Sequence, residues 1–162
     1  MRILAIPILV ALFLWPASVF GQSPELMDAY NRANELSAEG RYQEAISFAE
    51  EALRLSKREF GPDHPDFAID LNNLATLYGD QGRYAEAEPL HKRALAIYEK
   101  ALGPNHPDVA AGLNNLAMLY FNQGRYAEAE PLNKRSLAIL EKALGLDHPD
   151  CPSSYNLEQS TA

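Results

Sequence analysis

Apolar side chains recur at steps of three and four through the middle of the chain. Phe67, Leu71, Leu74, Ala75 and Tyr78 form one stripe, and Ala87, Leu90, Ala94, Ile97, Tyr98 and Ala101 form the next. Such spacing lines up one face of an α-helix, with polar residues filling the other. Gly82-Arg83-Tyr84 separates the two stripes, and Gly103-Pro104 closes the second with a C-cap residue and a breaker. Asp66 stands where the first helix should begin, next to its free amides and positive dipole end. Glu88 with Lys92, and Glu130 with Lys134, have the four-residue spacing and order that suit exposed ion pairs on a helix. Pro89 and Pro131, near the starts of the second helices, should each bend the helix slightly. No alternating stretch is long enough for a strand, so the pattern predicts an all-α fold.

The pattern repeats. Gly40-Arg41-Tyr42 returns as Gly82-Arg83-Tyr84 and Gly124-Arg125-Tyr126, and His64-Pro65-Asp66 returns as His106-Pro107-Asp108 and His148-Pro149-Asp150. Both motifs have a period of 42 residues, and residues 62–103 differ from 104–145 at ten positions. The unit at about 24–61 is weaker, keeping mostly the Gly-Arg-Tyr turn, Ala45, Ala52 and Leu53. Each unit reads as two antiparallel helices. One such hairpin cannot bury its apolar face, whereas three stacked hairpins cover one another. The expected fold is therefore an α-solenoid of three antiparallel helix hairpins, spanning residues 22–150, with units at about 24–61, 62–103 and 104–145.

The phrases Leu71-x-x-Leu74-Ala75-x-x-Tyr78, Gly82-x-Tyr84-x-x-Ala87 and Ala94-Leu95 resemble the tetratricopeptide repeat (TPR). The third unit agrees at Leu113, Leu116, Ala117, Tyr120, Gly124, Tyr126, Ala129 and Leu137. Leu-Asn-Asn-Leu-Ala, Ala-Glu-Pro-Leu and the long period are similar to the kinesin-light-chain subtype. The first unit departs from the pattern, since Arg32 stands where Leu74 and Leu116 stand, which suggests an exposed, capping role. The resemblance implies a superhelix whose concave groove, lined by the first helix of each pair, binds a protein or peptide segment. The groove positions it implies are Met27, Tyr30, Asn34, Ser37 and Ala38 in unit one. In unit two they are Ile69, Asn72, Thr76, Gly79 and Asp80, and in unit three Ala111, Asn114, Met118, Phe121 and Asn122. It further implies that Asn72 and Asn114 clamp the ligand backbone, since an amide both donates and accepts. Asn73 and Asn115 would instead bond between repeats. Four of the ten differences between units two and three fall on groove positions.

The first twenty-one residues lie outside the repeats. Arg2 precedes an uncharged run from Ile3 to Phe20, and Val19 and Gly21 are small enough for a cleavage site, so a secretory signal peptide over 1–21 is expected. The mature chain would be periplasmic or secreted, without stable membrane association. An uncleaved anchor is the competing reading, weakened by Pro7 and Pro16.

Charge and motifs then narrow the function. Lys plus Arg total 14 and Asp plus Glu 22, a net charge of −8, with no basic block, which argues against nucleic acid as a partner. Cys151 is the only cysteine and has no internal partner. His64, His106 and His148 recur one repeat apart and so cannot converge on one metal ion; they read as turn residues before proline. His91 has no counterpart, since unit three has Asn133, and is expected at the surface or against a neighbouring helix. Gly-rich phosphate loops, GxSxG and HExxH are missing from the sequence. No catalytic residue, metal ligand or cofactor is expected. Residues 151–162 break the pattern through Pro152 and the Ser153-Ser154 pair, which would leave Leu137, Leu140 and Leu144 open. The expected function is a non-catalytic protein-interaction module working through the groove. The alternatives are self-association, as a homo-oligomer, through the open last repeat, and a regulatory fragment of a larger enzyme system.

Overall fold

Six helices make up the computed structural model, which describes residues 23–145. They are α1 (Pro24–Ala38), α2 (Tyr42–Phe60), α3 (Pro65–Asp80), α4 (Tyr84–Leu102), α5 (Pro107–Asn122) and α6 (Tyr126–Ala143). The described residues contain no strand. The expected signal segment 1–21 and the tail 151–162 lie outside the described residues. None of the described helices is long and apolar enough to cross a membrane.

Each first helix starts at a proline, whose missing N–H is one that a helix start leaves unpaired anyway. Ser23 caps α1, its Oγ accepting from Leu26 N at 3.2 Å. His64 and His106 cap α3 and α5, where each Nδ1 accepts the amide of Asp66 or Asp108 at 3.2 Å. These histidines are thus more than residues before a proline, since they use a ring nitrogen in place of a cap hydroxyl or carboxylate. Each second helix follows a tight reversal. Gly40, Gly82 and Gly124 adopt φ of 74°, 73° and 73°, where a Cβ would cost about 1–2 kcal/mol. The amides of Arg41, Arg83 and Arg125 then return to the carbonyls of Leu36, Tyr78 and Tyr120 at 2.8–2.9 Å. α4 and α6 run on through Pro89 and Pro131, both exposed.

The hairpins stack in chain order, α2 packing on α3 and α4 on α5. Within each hairpin fully buried alanines (Ala45, Ala75, Ala87, Ala117) let the helices approach closely. Between hairpins the contact is equally tight: a methyl on Gly112 would stand 3.4 Å from Leu95 Cδ1 and 3.5 Å from Tyr98 Cδ2. The second junction also carries charge. Glu88 on α4 accepts from Arg125 Nη1 at 2.7 Å, from Tyr120 Oη at 3.0 Å and from Lys92 Nζ at 2.6 Å. Arg125 first, then Lys92, hold its carboxyl down to about 2. The first junction has Ile46 in the place of Glu88, and there Tyr78 Oη donates to Glu50 at 2.8 Å instead. Lys134 and Glu130 make the expected four-residue pair at 2.6 Å. Arg32 is exposed and paired with Glu35 at 3.1 Å. On the last hairpin Leu137, Leu140 and Leu144 remain 47%, 40% and 71% exposed. Their counterparts one period earlier, Leu95, Tyr98 and Leu102, are covered in part or in full.

Candidate binding groove

The first helices α1, α3 and α5 share one face of the stack, and cavities open between them. Between α1 and α3 one of about 150 Å³ is bordered by Tyr30, Asn34, Asp70, Asn73, Thr76 and Asp80. A neighbouring one of about 230 Å³ lies among Met27, Tyr30, Asp66, Ile69 and Asp70. Between α3 and α5 a third, of about 110 Å³, is bordered by Thr76, Asp80, His91, Asn115, Met118 and Asn122. Apolar side chains stand open along this face, Ile69 being 45% exposed and Met118 55%. A run of exposed apolar groups interleaved with amides and carboxylates suits a polypeptide, offering pockets for side chains and partners for its backbone.

Of the residues expected in the groove, the structure brings Asn34, Ile69, Thr76, Asp80, Met118 and Asn122 onto this face. Phe121 stands at its edge, 55% exposed, with its ring edge-on to Tyr126 at 5.1 Å. Asn72 and Asn114 are placed elsewhere. Asn72 is buried, and its Oδ1 faces His91 Nδ1 of α4 at 2.8 Å. Asn114 is exposed but borders none of the three cavities, and Asn133 and Leu140 replace His91 and Tyr98 in its hairpin. Their neighbours border the cavities instead. Asn73 borders the α1–α3 cavity and Asn115 the α3–α5 cavity, and Asn73 Nδ2 is buried with no hydrogen-bond partner among the described residues. Each neighbour stands one helical step, about 100°, round the helix from Asn72 or Asn114. With two asparagines in succession between Leu71 and Leu74, the sequence does not say which one α4 takes.

Asp70 and His91 were not expected in the site. Asp70 borders two of the cavities while being only 8% exposed, and burial raises its carboxyl above the usual carboxylate range, opposed by the Ser56 hydroxyl. His91, 3% exposed, is pushed down to about 4 by burial. It is neutral near pH 7, with Nδ1 donating to Asn72. One signal for His91 was available in the sequence: it is among the few positions at which two otherwise near-identical units differ.

The sequence pattern described as tetratricopeptide repeat matches residues 25–100, 66–142 and 108–157. The chain belongs to the tetratricopeptide-repeat family. Solved TPR structures agree. A putative kinesin light chain from Podosopora anserina with nearly identical TPR-like repeats is 29% identical, with a TM-score of 0.68 over 78% of this chain and 61% of that one. BtubC (BKLC) from P. vanneervenii is 26% identical, with a TM-score of 0.67 over 72% of this chain and 46% of that one. This TPR array is thus of the kinesin-light-chain kind, and it spans about half to three fifths of those proteins' lengths. The TPR domain of Arabidopsis FLU, 20% identical with a TM-score of 0.63 over 73% of this chain and 96% of that one, shares the fold. No curated protein matches the chain. TPR arrays generally mediate protein–protein interaction and are typically non-catalytic scaffolds.

Proposed function

We propose that the chain is a binding module that holds an extended segment of another protein against α1, α3 and α5. The observation that carries this reading is Asn73: its Nδ2 is buried at the groove wall and lacks a partner among the described residues. Leaving such a donor unpaired costs about 1–3 kcal/mol, which a ligand carbonyl would recover. Asn115 stands one period on, where it would take the next stretch of ligand backbone. Ile69 and Met118 would supply apolar contacts on either side of Thr76. The test uses peptides recovered from a random displayed library, titrated by fluorescence anisotropy. Asn73→Ala with Asn115→Ala weakens them about thirtyfold at unchanged helix content, at about 1 kcal/mol for each of the two hydrogen bonds lost, whereas Asn114→Ala has no effect. Equal affinity for all three proteins would remove the groove from consideration.

We also infer that the chain works outside the cytoplasm. Arg2, the uncharged run to Phe20 and the small residues Val19 and Gly21 support this. Protein recovered from the exported fraction of its own cells should begin at Gln22. An N-terminus at Met1, with the protein retained in the cell, would contradict it.

A further inference from the structure

We propose that the groove selects a cationic segment, with Lys or Arg lying over the α1–α3 stretch and apolar side chains over the α3–α5 stretch. This rests on the groove being the binding site. Charge in this fold is sorted by helix. The three first helices hold seven carboxylates and a single cation, Arg32, which is already tied to Glu35 at 3.1 Å. The three second helices hold ten carboxylates and nine cations, close to balance. α3 and α5 contain no Lys or Arg at all.

The cavities repeat this bias. Asp66, Asp70 and Asp80 border them, and no Lys or Arg does. Neither Asp70 nor Asp80 has a cation within ion-pair distance among the described residues. Lys57, Arg58, Arg93 and Lys142, which also stand outside those ion pairs, are on second helices. His91, the nitrogen base at the groove, is neutral at pH 7 and offsets nothing. A desolvated carboxylate facing a concave, low-dielectric wall attracts a cation more strongly than one on an open surface.

The bias also has a direction. One period after Asp70 and Asp80 stand Gly112 and Asn122; Asp108, one period after Asp66, borders none of the three cavities, so α5 brings no carboxylate to them, and Met118 is exposed there instead. A ligand matched to this surface is therefore basic at one end and apolar at the other. Asn73 and Asn115 hold its backbone whatever its side chains.

A random 12-residue displayed library tests this without assuming a ligand. The recovered peptides should carry net positive charge, and affinity should fall about tenfold between 50 and 500 mM NaCl. Asp70→Asn with Asp80→Asn should weaken them about tenfold and flatten the salt dependence. Asp80→Asn alone, at an exposed position, keeps the test readable should the double variant misfold. Met118→Ser should weaken binding and leave the salt dependence intact. Neutral or acidic peptides that still lose affinity in Met118→Ser would overturn the charge assignment and leave the groove standing. So would cationic peptides indifferent to both aspartates but sensitive to Met118→Ser. No recovered peptides, or peptides indifferent to every groove substitution, would overturn the groove and the charge assignment together.

Discussion

Acidification from pH 6.5 to 4 costs the folded chain about 3 kcal/mol through His91 alone, and His91→Asn removes that loss. The ring is 3% exposed, and burial lowers its pKa from 6.5 to about 4. Above pH 6.5 the ring is neutral in both folded and unfolded chains, so it adds no pH dependence. Between 6.5 and 4 the unfolded chain takes up a proton that the folded chain refuses, and stability falls as pH falls. Below 4 both are protonated and the loss stops growing. Glu88 works in a lower window, since its folded pKa of about 2 yields stability that is present above 4.5 and lost as pH falls toward 2. Asparagine is the residue at the same position of unit three, Asn133, so it suits this helix. The check is urea unfolding of wild type and His91→Asn at several pH values. Parallel pH profiles for the two proteins would refute the assignment.

Phe67→Ala lowers the unfolding free energy by about 3–5 kcal/mol. Its ring is 1% exposed and sits with Leu71, Ala94, Ile97, Val109 and Leu113, side chains drawn from both sides of the α4–α5 junction. The Arg93 guanidinium lies 5.1 Å from its centroid, so the truncation also strips a cation from an aromatic face. Domains of this size are stable by about 5–15 kcal/mol, so the loss removes a large share of the total. Because hairpins in a stack hold only their neighbours, damage at this joint weakens units two and three together. The urea midpoint should drop sharply, while Met118→Ser, at a 55% exposed position, should barely move it. A loss under about 1 kcal/mol for Phe67→Ala would mean that the site collapses onto the cavity without cost.

Most of the architecture was legible in the sequence because the repeat shows it twice. A period of 42 with near-identical units fixes the turns, and the apolar steps fix which face is buried, down to Ala75 and Ala87. The caps were harder to read. Histidine is an uncommon helix cap, and nothing in His-Pro-Asp alone distinguishes a capping ring from a spacer. The groove divided along the same line. Positions three and four residues apart on the open face, such as Ile69, Thr76 and Asp80, border the cavities. The placement within each asparagine pair was not legible, because helical periodicity constrains which face a residue is on only to within about one step, and an amide is equally at home buried against His91 or open at a cavity. Asp70 was hidden for the opposite reason. A carboxylate at a largely buried position reads in sequence as surface solvation, and only the packing of α2 against α3 shows it walled in.

The uncovered row of Leu137, Leu140 and Leu144 has a consequence for how much of a ligand is read. Packed helices sit roughly 10 Å apart, and an extended chain advances about 3.3 Å per residue. Each first helix therefore frames about three ligand residues. In the proposed binding mode the three first helices of the described residues would set a short reading frame, and a further hairpin seated on that leucine row would lengthen it by one more triplet without disturbing those contacts. Under the proposed binding mode, recognition length would be a counted quantity, set by how many hairpins stand in line.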